Sequence, residues 1–360
     1  MISLRKGRLA TAAVFGLCTL TVATDLAQSG PTPQYIALEE VSRIPRVERY
    51  AVADFDLDGI DEVITLSSDR RGVLLWDADH GIFRPVWHLP IFKGEFRGVD
   101  AHDIVGDRAP EVFVSVKMGD TAWVQVYDAN RELLKETEPV TGVDQRGDGT
   151  WDGFIDKFNI IDVDRDGQKD ILASVLTGYD RLPRGVYAYG WETGNLLWHF
   201  PTACHIIRIM IDDLYGNGTE EIILSTSAPS NGYEINGMDD AHSYIIALDR
   251  RGNLLWKQVT SGIFFAPYIE TEDLDRDGRT EVINTFASGD VDDPNTKFEL
   301  QVRDGQTGSV KKYFPLTYTG GFILGDLNRD GAKEIIAGGH DGTLMVFNKD
   351  LDLLHRFKRG

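Results

Sequence analysis

Short runs of apolar, β-branched and aromatic residues alternate with polar turns along most of the chain, and the runs come in sets of four. The first set is Tyr50–Ala53, Val63–Leu66, Gly72–Asp77 and Pro85–Leu89. Runs this short, bounded by Gly, Asp and Asn, predict strands joined by turns. Later sets repeat the order. From the second run of each set onward they are Val112–Val116, Trp123–Asp128 and Glu132–Leu134; then Ile171–Val175, Gly185–Tyr189 and Asn195–Trp198. Ile222–Ser225, Tyr244–Asp249 and Asn253–Trp256 follow, then Val282–Asn284, Phe298–Val302 and Val310–Tyr313. Ile335–Gly338, Leu344–Phe347 and Leu353–Phe357 end the series.

The polar segment between the first and second run of each set is the most regular part of the chain. In Asp162-Val163-Asp164-Arg165-Asp166-Gly167-Gln168-Lys169-Asp170, carboxylates stand at the first, third, fifth and ninth places and a glycine at the sixth. Asp54, Asp56, Asp58, Gly59 and Glu62 repeat it, as do Asp273, Asp275, Asp277, Gly278 and Glu281. Asp326, Asn328, Asp330, Gly331 and Glu334 differ by one amide. Two copies are degenerate: Tyr215 replaces the third carboxylate after Asp213, and Val105 and Arg108 replace the third and sixth residues after Asp103. The six copies recur at a mean period of about 54 residues, which marks a repeat architecture. Four strands per repeat predict an all-β β-propeller, six blades of four antiparallel strands, with seven as the alternative. The propeller is expected over residues 46–360. Residues 28–45 are expected to form an N-terminal segment in which Tyr35–Val41 closes the ring or begins a further blade.

Alternating carboxylates before a glycine point to a hard cation. Calcium takes six to eight oxygens, and the sixth-place glycine allows the turn that gathers them. An EF-hand would need a glutamate at the twelfth place and flanking helices; that place holds Thr65, Ala173, Asn284 or Ala337 amid strand-forming residues. The units resemble FG-GAP/VCBS-type repeats, the calcium-loop blades of integrin α-subunit propellers and many secreted bacterial proteins. The resemblance implies side-chain ligands at the first, third, fifth and ninth places and a carbonyl at the seventh. Carried over, the calcium set is Asp54, Asp56, Asp58 and Glu62; Asp162, Asp164, Asp166 and Asp170; Asp273, Asp275, Asp277 and Glu281; Asp326, Asn328, Asp330 and Glu334. The segments Glu192–Trp198 and Asp249–Trp256 also resemble the outer hairpins of quinone-binding dehydrogenase propellers. A tight hairpin with an aromatic plug between blades accounts for them without a cofactor.

The formal charge of −20 on 360 residues argues against nucleic acid, whose phosphates demand a basic surface. Arg5, Lys6 and Arg8 precede the apolar run Leu9–Ala23, which reads as a signal peptide over residues 1–27, cleaved near Ala23–Ala27. The run is short for a span, which needs about 20 residues. The mature chain is therefore expected to be secreted, periplasmic or on the cell surface, uninserted in the membrane and monomeric. Cys204 then stands as the one cysteine of the mature chain, a buried and inert thiol.

No nucleophile elbow, zinc-protease motif or phosphate loop occurs. Arg146-Gly147-Asp148 spells an integrin-recognition tripeptide inside a Gly/Asp-rich turn. The expected function is non-catalytic binding of a glycan or extracellular protein. The alternative is a secreted enzyme of the rhamnogalacturonan-lyase type, for which no basic set is evident along the chain. Long connections on the face opposite the acidic loops predict where a ligand sits. They are Thr141–Asp156, Leu176–Arg184, Ala228–Ser243 and Ser288–Thr296, and the expected groove over the third to fifth blades is lined by Trp151, Tyr179, Tyr233, Asp239 and His242.

Overall fold

The computed structural model describes residues 49–358 apart from 80–81, 91–92, 263–264, 291–292, 318–320 and 340–341. Before these it describes only the two-residue strands Val22–Ala23 and Leu38–Glu39, which pair with each other. The expected signal peptide and ring-closing segment otherwise lie outside the described residues.

The described residues form six antiparallel meanders in which spatial order follows chain order. The first comprises Tyr50–Ala53, Glu62–Leu66, Gly72–Asp79 and Ile82–Pro90. The second is Glu95–His102, Glu111–Met118, Thr121–Tyr127 and Leu133–Glu136, with Val140–Thr141 added beside its third strand. The third is Phe154–Ile161, Asp170–Leu176, Gly185–Tyr189 and Leu196–Pro201. The fourth is His205–Asp212, Glu221–Ser227, Ser243–Leu248 and Leu254–Ser261. The fifth is Ile269–Glu272, Glu281–Ala287, Phe298–Asp304 and Val310–Leu316. The sixth is Phe322–Gly325, Glu334–Gly338, Thr343–Phe347 and Leu353–Lys358.

Burial explains the packing. Second strands are apolar on both faces, as in Val112, Phe113 and Val114, all fully buried. Such a strand needs a neighbour on each side, so the sheets stack face to face and the core lies between blades. Ile64, Leu66, Val73 and Leu75 of the first blade pack on Phe96, Val99, Val112 and Val114 of the second. The same arrangement joins the second blade to the third, the third to the fourth, the fourth to the fifth and the fifth to the sixth. First strands of successive blades touch from the first blade to the fifth. Fourth strands lie outside, which leaves Leu196, Leu197, Leu254 and Leu255 partly exposed.

The outer hairpins behave as plugs between blades. Trp198 Nε1 donates to the Arg250 carbonyl of the next blade at 3.0 Å, and Trp256 Nε1 to Gly305 at 2.8 Å. Each indole lies on a glycine of that blade. A Cβ on Gly252 would approach Trp198 to 2.7 Å, and one on Gly308 would approach Trp256 to 2.6 Å. Both glycines hold positive φ. Gly308→Ala therefore combines left-handed strain with a clash and should cost about 2 kcal/mol or more. Denaturant unfolding measures it; a variant as stable as the parent would remove the plug from the account of the fold.

Candidate functional sites: the acidic loops and the opposite face

Each acidic segment joins the first and second strands of its blade, and all six fold by the same hydrogen bonds. The first-place aspartate accepts the sixth residue's N–H: Gly59 on Asp54, Arg108 on Asp103, Gly167 on Asp162, Gly218 on Asp213, Gly278 on Asp273 and Gly331 on Asp326, at 2.6 to 3.1 Å. The fifth-place side chain accepts the seventh residue's N–H, as Ile60 donates to Asp58 at 2.7 Å and Thr219 to Asn217 at 2.8 Å. The ninth-place carboxylates, Glu62, Glu111, Asp170, Glu221, Glu281 and Glu334, are all buried. Each accepts the second residue's N–H, from Phe55, Ile104, Val163, Leu214, Leu274 and Leu327 respectively. The fourth and sixth residues hold positive φ throughout, Leu57 at 61° and Gly59 at 91° in the first loop. Three of the four acidic places thus build the loop itself, in the degenerate copies as well.

The third place separates the copies. Where it is aspartate, carboxylate oxygens come within 4.8 Å of one another: Asp54, Asp56 and Asp58; Asp162, Asp164 and Asp170; Asp273, Asp275 and Glu281. These are the described groups that could share one cation. Asp54 Oδ1 is buried and has no hydrogen-bond partner. In the fifth blade Lys311 already reaches the cluster, with Nζ 3.2 Å from Asp275 Oδ2 and 2.7 Å from Glu281 Oε1. In the sixth, the Asn328 amide donates to Asp330 at 2.9 Å and to Glu334 at 3.0 Å. The first and third blades have no such internal donor at their clusters among the described residues.

Burial, then the charges of Asp56, Asp58 and Asp54, raises the Glu62 carboxyl to about 7. Burial also lifts Glu221 to about 7, with Asp213 adding to it. Both folded values exceed the ordinary 4.5. Their stabilising contribution is therefore complete below the unfolded value and lost as pH rises through the folded one. Chelated protein should melt higher near pH ~5 than near pH ~8, and Glu221→Gln should flatten part of that slope. A metal-free melting temperature that rises with pH over this range would contradict the prediction.

The other face is made of connections between second and third strands and of entries into each blade. Asp180, fully buried, ties two of the long connections together. It accepts the N–H groups of Gln145 at 2.7 Å, Arg146 at 3.3 Å and Asp152 at 2.8 Å. Asp240, also buried, accepts Asn231 and Gly232 in the same manner. Arg181 donates to the Gly232 carbonyl at 3.1 Å and Asn231 to Gly178 at 3.2 Å, so the third- and fourth-blade insertions touch.

A cavity of about 890 Å3 opens on this face across the first three blades. Of the five residues expected to line a groove, Trp151 and Tyr179 line this cavity, Trp151 fully buried and Tyr179 69% exposed. Tyr233, Asp239 and His242 lie in the fourth-blade insertion and are not among its lining. That insertion folds on itself, pairing Glu234–Ile235 with Met238–Asp239, and Tyr233 packs against the core. Asp239 and His242 form an exposed pair at 2.8 Å.

Residues not among the expected groove lining complete the cavity: Arg71, Arg97, Lys117 and Arg146, with Asp69, Glu95 and Asp152 beside them. Their sequence spacing gave no sign of this assembly. One signal was present. Asp144, Gly147, Asp148, Gly149 and Asp152 repeat the loop spacing, with Arg146 at the third place. The fold bears this out: Gly149 N–H donates to Asp144 at 2.7 Å and Thr150 N–H to Asp148 at 3.3 Å. Arg146 of the integrin-like tripeptide lies over the Tyr179 ring at 4.6 Å. Cys204 is buried, and burial drives its thiol up to about 12.

Stacked antiparallel meanders with loops gathered on two faces define a β-propeller. The chain is similar to the Dos1 propeller, at 11% identity over 87% of this chain and 75% of that one, with a TM-score of 0.52. Dihydro-heme d1 dehydrogenase NirN matches at 15% identity over 87% of this chain, with a TM-score of 0.51. A quinohemoprotein alcohol dehydrogenase, ADHIIG from Pseudomonas putida HK5, matches at 13% identity over 82% of this chain, with a TM-score of 0.50. The match spans 57% of each of the two dehydrogenases. At these identities the likeness establishes the fold. No family model matches the sequence. No curated relative matches it.

Proposed function

We propose that the chain is a calcium-stabilised propeller of the FG-GAP/VCBS type, working outside the cytoplasm as a non-catalytic binding module for a glycan or protein. The observation carrying the binding reading is the cavity on the face opposite the acidic loops, where two of the long connections, Thr141–Asp156 and Leu176–Arg184, meet. Ligand pockets are concave and of about 300–1,000 Å3, and a cavity of this size on a rigid scaffold falls in that range.

Calcium belongs to the reading through the loops of the first and third blades. Their oxygens are close together, and the unpartnered Asp54 Oδ1 fits a hard cation. The fifth- and sixth-blade loops fit it less well, because Lys311 and the Asn328 amide already engage the same oxygens. This is narrower than a calcium in all four full loops. Secretion rests on the basic and apolar N-terminus; N-terminal sequencing of exported protein should begin between Thr24 and Gln28.

A glycan-array screen with and without calcium tests the binding reading. A reproducible ligand whose signal is lost on blocking the cavity supports it; silence across glycans and extracellular proteins removes it. One observation favours the alternative, a polysaccharide lyase: a buried lysine, Lys117, whose pKa burial lowers, stands in the cavity beside Arg97. Unsaturated uronate released from an acidic polysaccharide by the parent, and not by Lys117→Ala, would replace binding with catalysis.

A further inference from the structure

The cavity on the ligand face runs against the character of the rest of the molecule. The chain carries a net charge of −20, yet Arg71, Arg97, Lys117 and Arg146 converge on one space. They reach it by different routes. Arg71 comes from a turn in the first blade and donates to the Gly94 carbonyl at 2.7 Å. Arg97 stands at a register shift between Phe96 and Gly98 in the second blade's first strand, where a bulge re-aims a side chain. Lys117 is the last residue but one of that blade's second strand. Arg146 occupies the third place of the Asp144–Asp152 loop, a place that holds a carboxylate or its amide in the full copies of the repeat.

Their partners leave charge and donors over. Arg97 pairs with Glu95 at 2.5 Å, and Arg146 lies 3.5 Å from Asp148 and 3.7 Å from Asp152, distances that leave its guanidinium free to turn to a closer carboxylate. Lys117 is only 9% exposed, and it meets the Trp151 carbonyl and ring with no carboxylate at ion-pair distance among the described residues. Burying an ammonium group without a counter-charge is costly, and the cost is offset when a ligand brings the charge. Two further donors of lining residues, Arg97 Nε and Trp151 Nε1, are buried without acceptors.

The lining also limits the kind of anion. Asp69, Glu95 and Asp152 line the same space as the cations. A polyphosphate or an acidic peptide would meet repulsion from these carboxylates. A ligand carrying both hydroxyl donors and carboxylates would use both signs of the wall, and Tyr179 offers an exposed ring at the rim. We propose that this cavity binds an oligosaccharide bearing carboxylate groups, a uronic-acid-containing glycan, with Arg97, Lys117 and Arg146 receiving the carboxylate and Asp69 and Asp152 the hydroxyls.

The proposal rests on the reading of this face as a ligand site, and the test separates the two. Calorimetric titration of the full chain with trigalacturonate is compared with its methyl ester, which keeps shape and hydroxyls but removes charge. The acid should bind about tenfold or more tightly than the ester, with affinity falling as salt rises. Arg146→Gln, at a largely exposed position whose loop is held by backbone bonds, should weaken the acid about tenfold and leave the melting temperature unchanged. Lys117→Met should do the same, and Arg146→Gln decides the matter if that variant fails to fold. Equal binding of acid and ester overturns the assignment of charge. So does failure of the acid to bind while a neutral glycan from the array does; the binding-module reading then stands. Failure of every glycan overturns the assignment, and silence from extracellular proteins as well removes the binding-module reading.

Discussion

Stripping divalent cations with a chelator should lower the melting temperature by roughly 10 °C, and calcium should restore it. The size follows from linkage. A site that binds only the native state adds about 2.7 kcal/mol at a hundredfold excess of ion over Kd, and the two loops without a side-chain donor at their clusters act independently. In a domain of this size 1 kcal/mol corresponds to a few degrees. Asp164→Ala should remove about half of the calcium-dependent gain, since it leaves the backbone hydrogen bonds from Asp162 and Asp170 in place. Lys311 supplies the counter-test. With its ammonium gone in Lys311→Met, the fifth-blade cluster of Asp273, Asp275 and Glu281 resembles the first and third. Equilibrium dialysis should then count about one more calcium per chain. No chelator response in the parent would sink the calcium reading; an unchanged count in Lys311→Met would sink the role given to that lysine.

Asp180→Ala is expected to be the most damaging single change on the opposite face. Its carboxylate is fully buried and accepts three backbone N–H groups from the connection entering the third blade. Removing it strands those donors, at about 3 kcal/mol in total. The blades do not depend on it, so the loss should be local. Hydrogen exchange should accelerate in residues 144–153 and 176–184 while the third blade's strands stay protected. Ligand binding should fail with it, because Arg146 and Tyr179 stand on the segments it ties together. Uniform loosening of the third blade would instead make Asp180 a part of the core.

The blades were legible because their pattern is local. Alternation and turn residues place strands such as Ile171–Val175 within a residue or two of Asp170–Leu176, and the acidic decads mark each junction. The loop faces were legible from topology alone. The cavity was not, because its cations come from three different blades and each looks like a solvated residue in its own neighbourhood. The chain signalled Trp151 through its place in a long connection, while its burial under Lys117 depends on the second blade. Charge-cluster chemistry was half legible. The spacing of Asp273, Asp275 and Glu281 announces a cation, but only packing reveals that Lys311, thirty residues beyond Glu281, is one.

The shared hydrogen bonds of the six acidic loops bear on kinetics. A segment disordered without its ion would have to fix its backbone on binding, at about 1–2 kcal/mol per residue, and would bind slowly and weakly. Here the first-, fifth- and ninth-place side chains have already fixed it, and the left-handed residues Leu57 and Arg165 are held in place beforehand. On the calcium reading proposed above, an arriving ion would find its oxygens in position and need only to shed water. Association should therefore run close to the ion's own rate of water exchange, with the chain contributing little entropy loss, and affinity should be set by how fast the ion leaves.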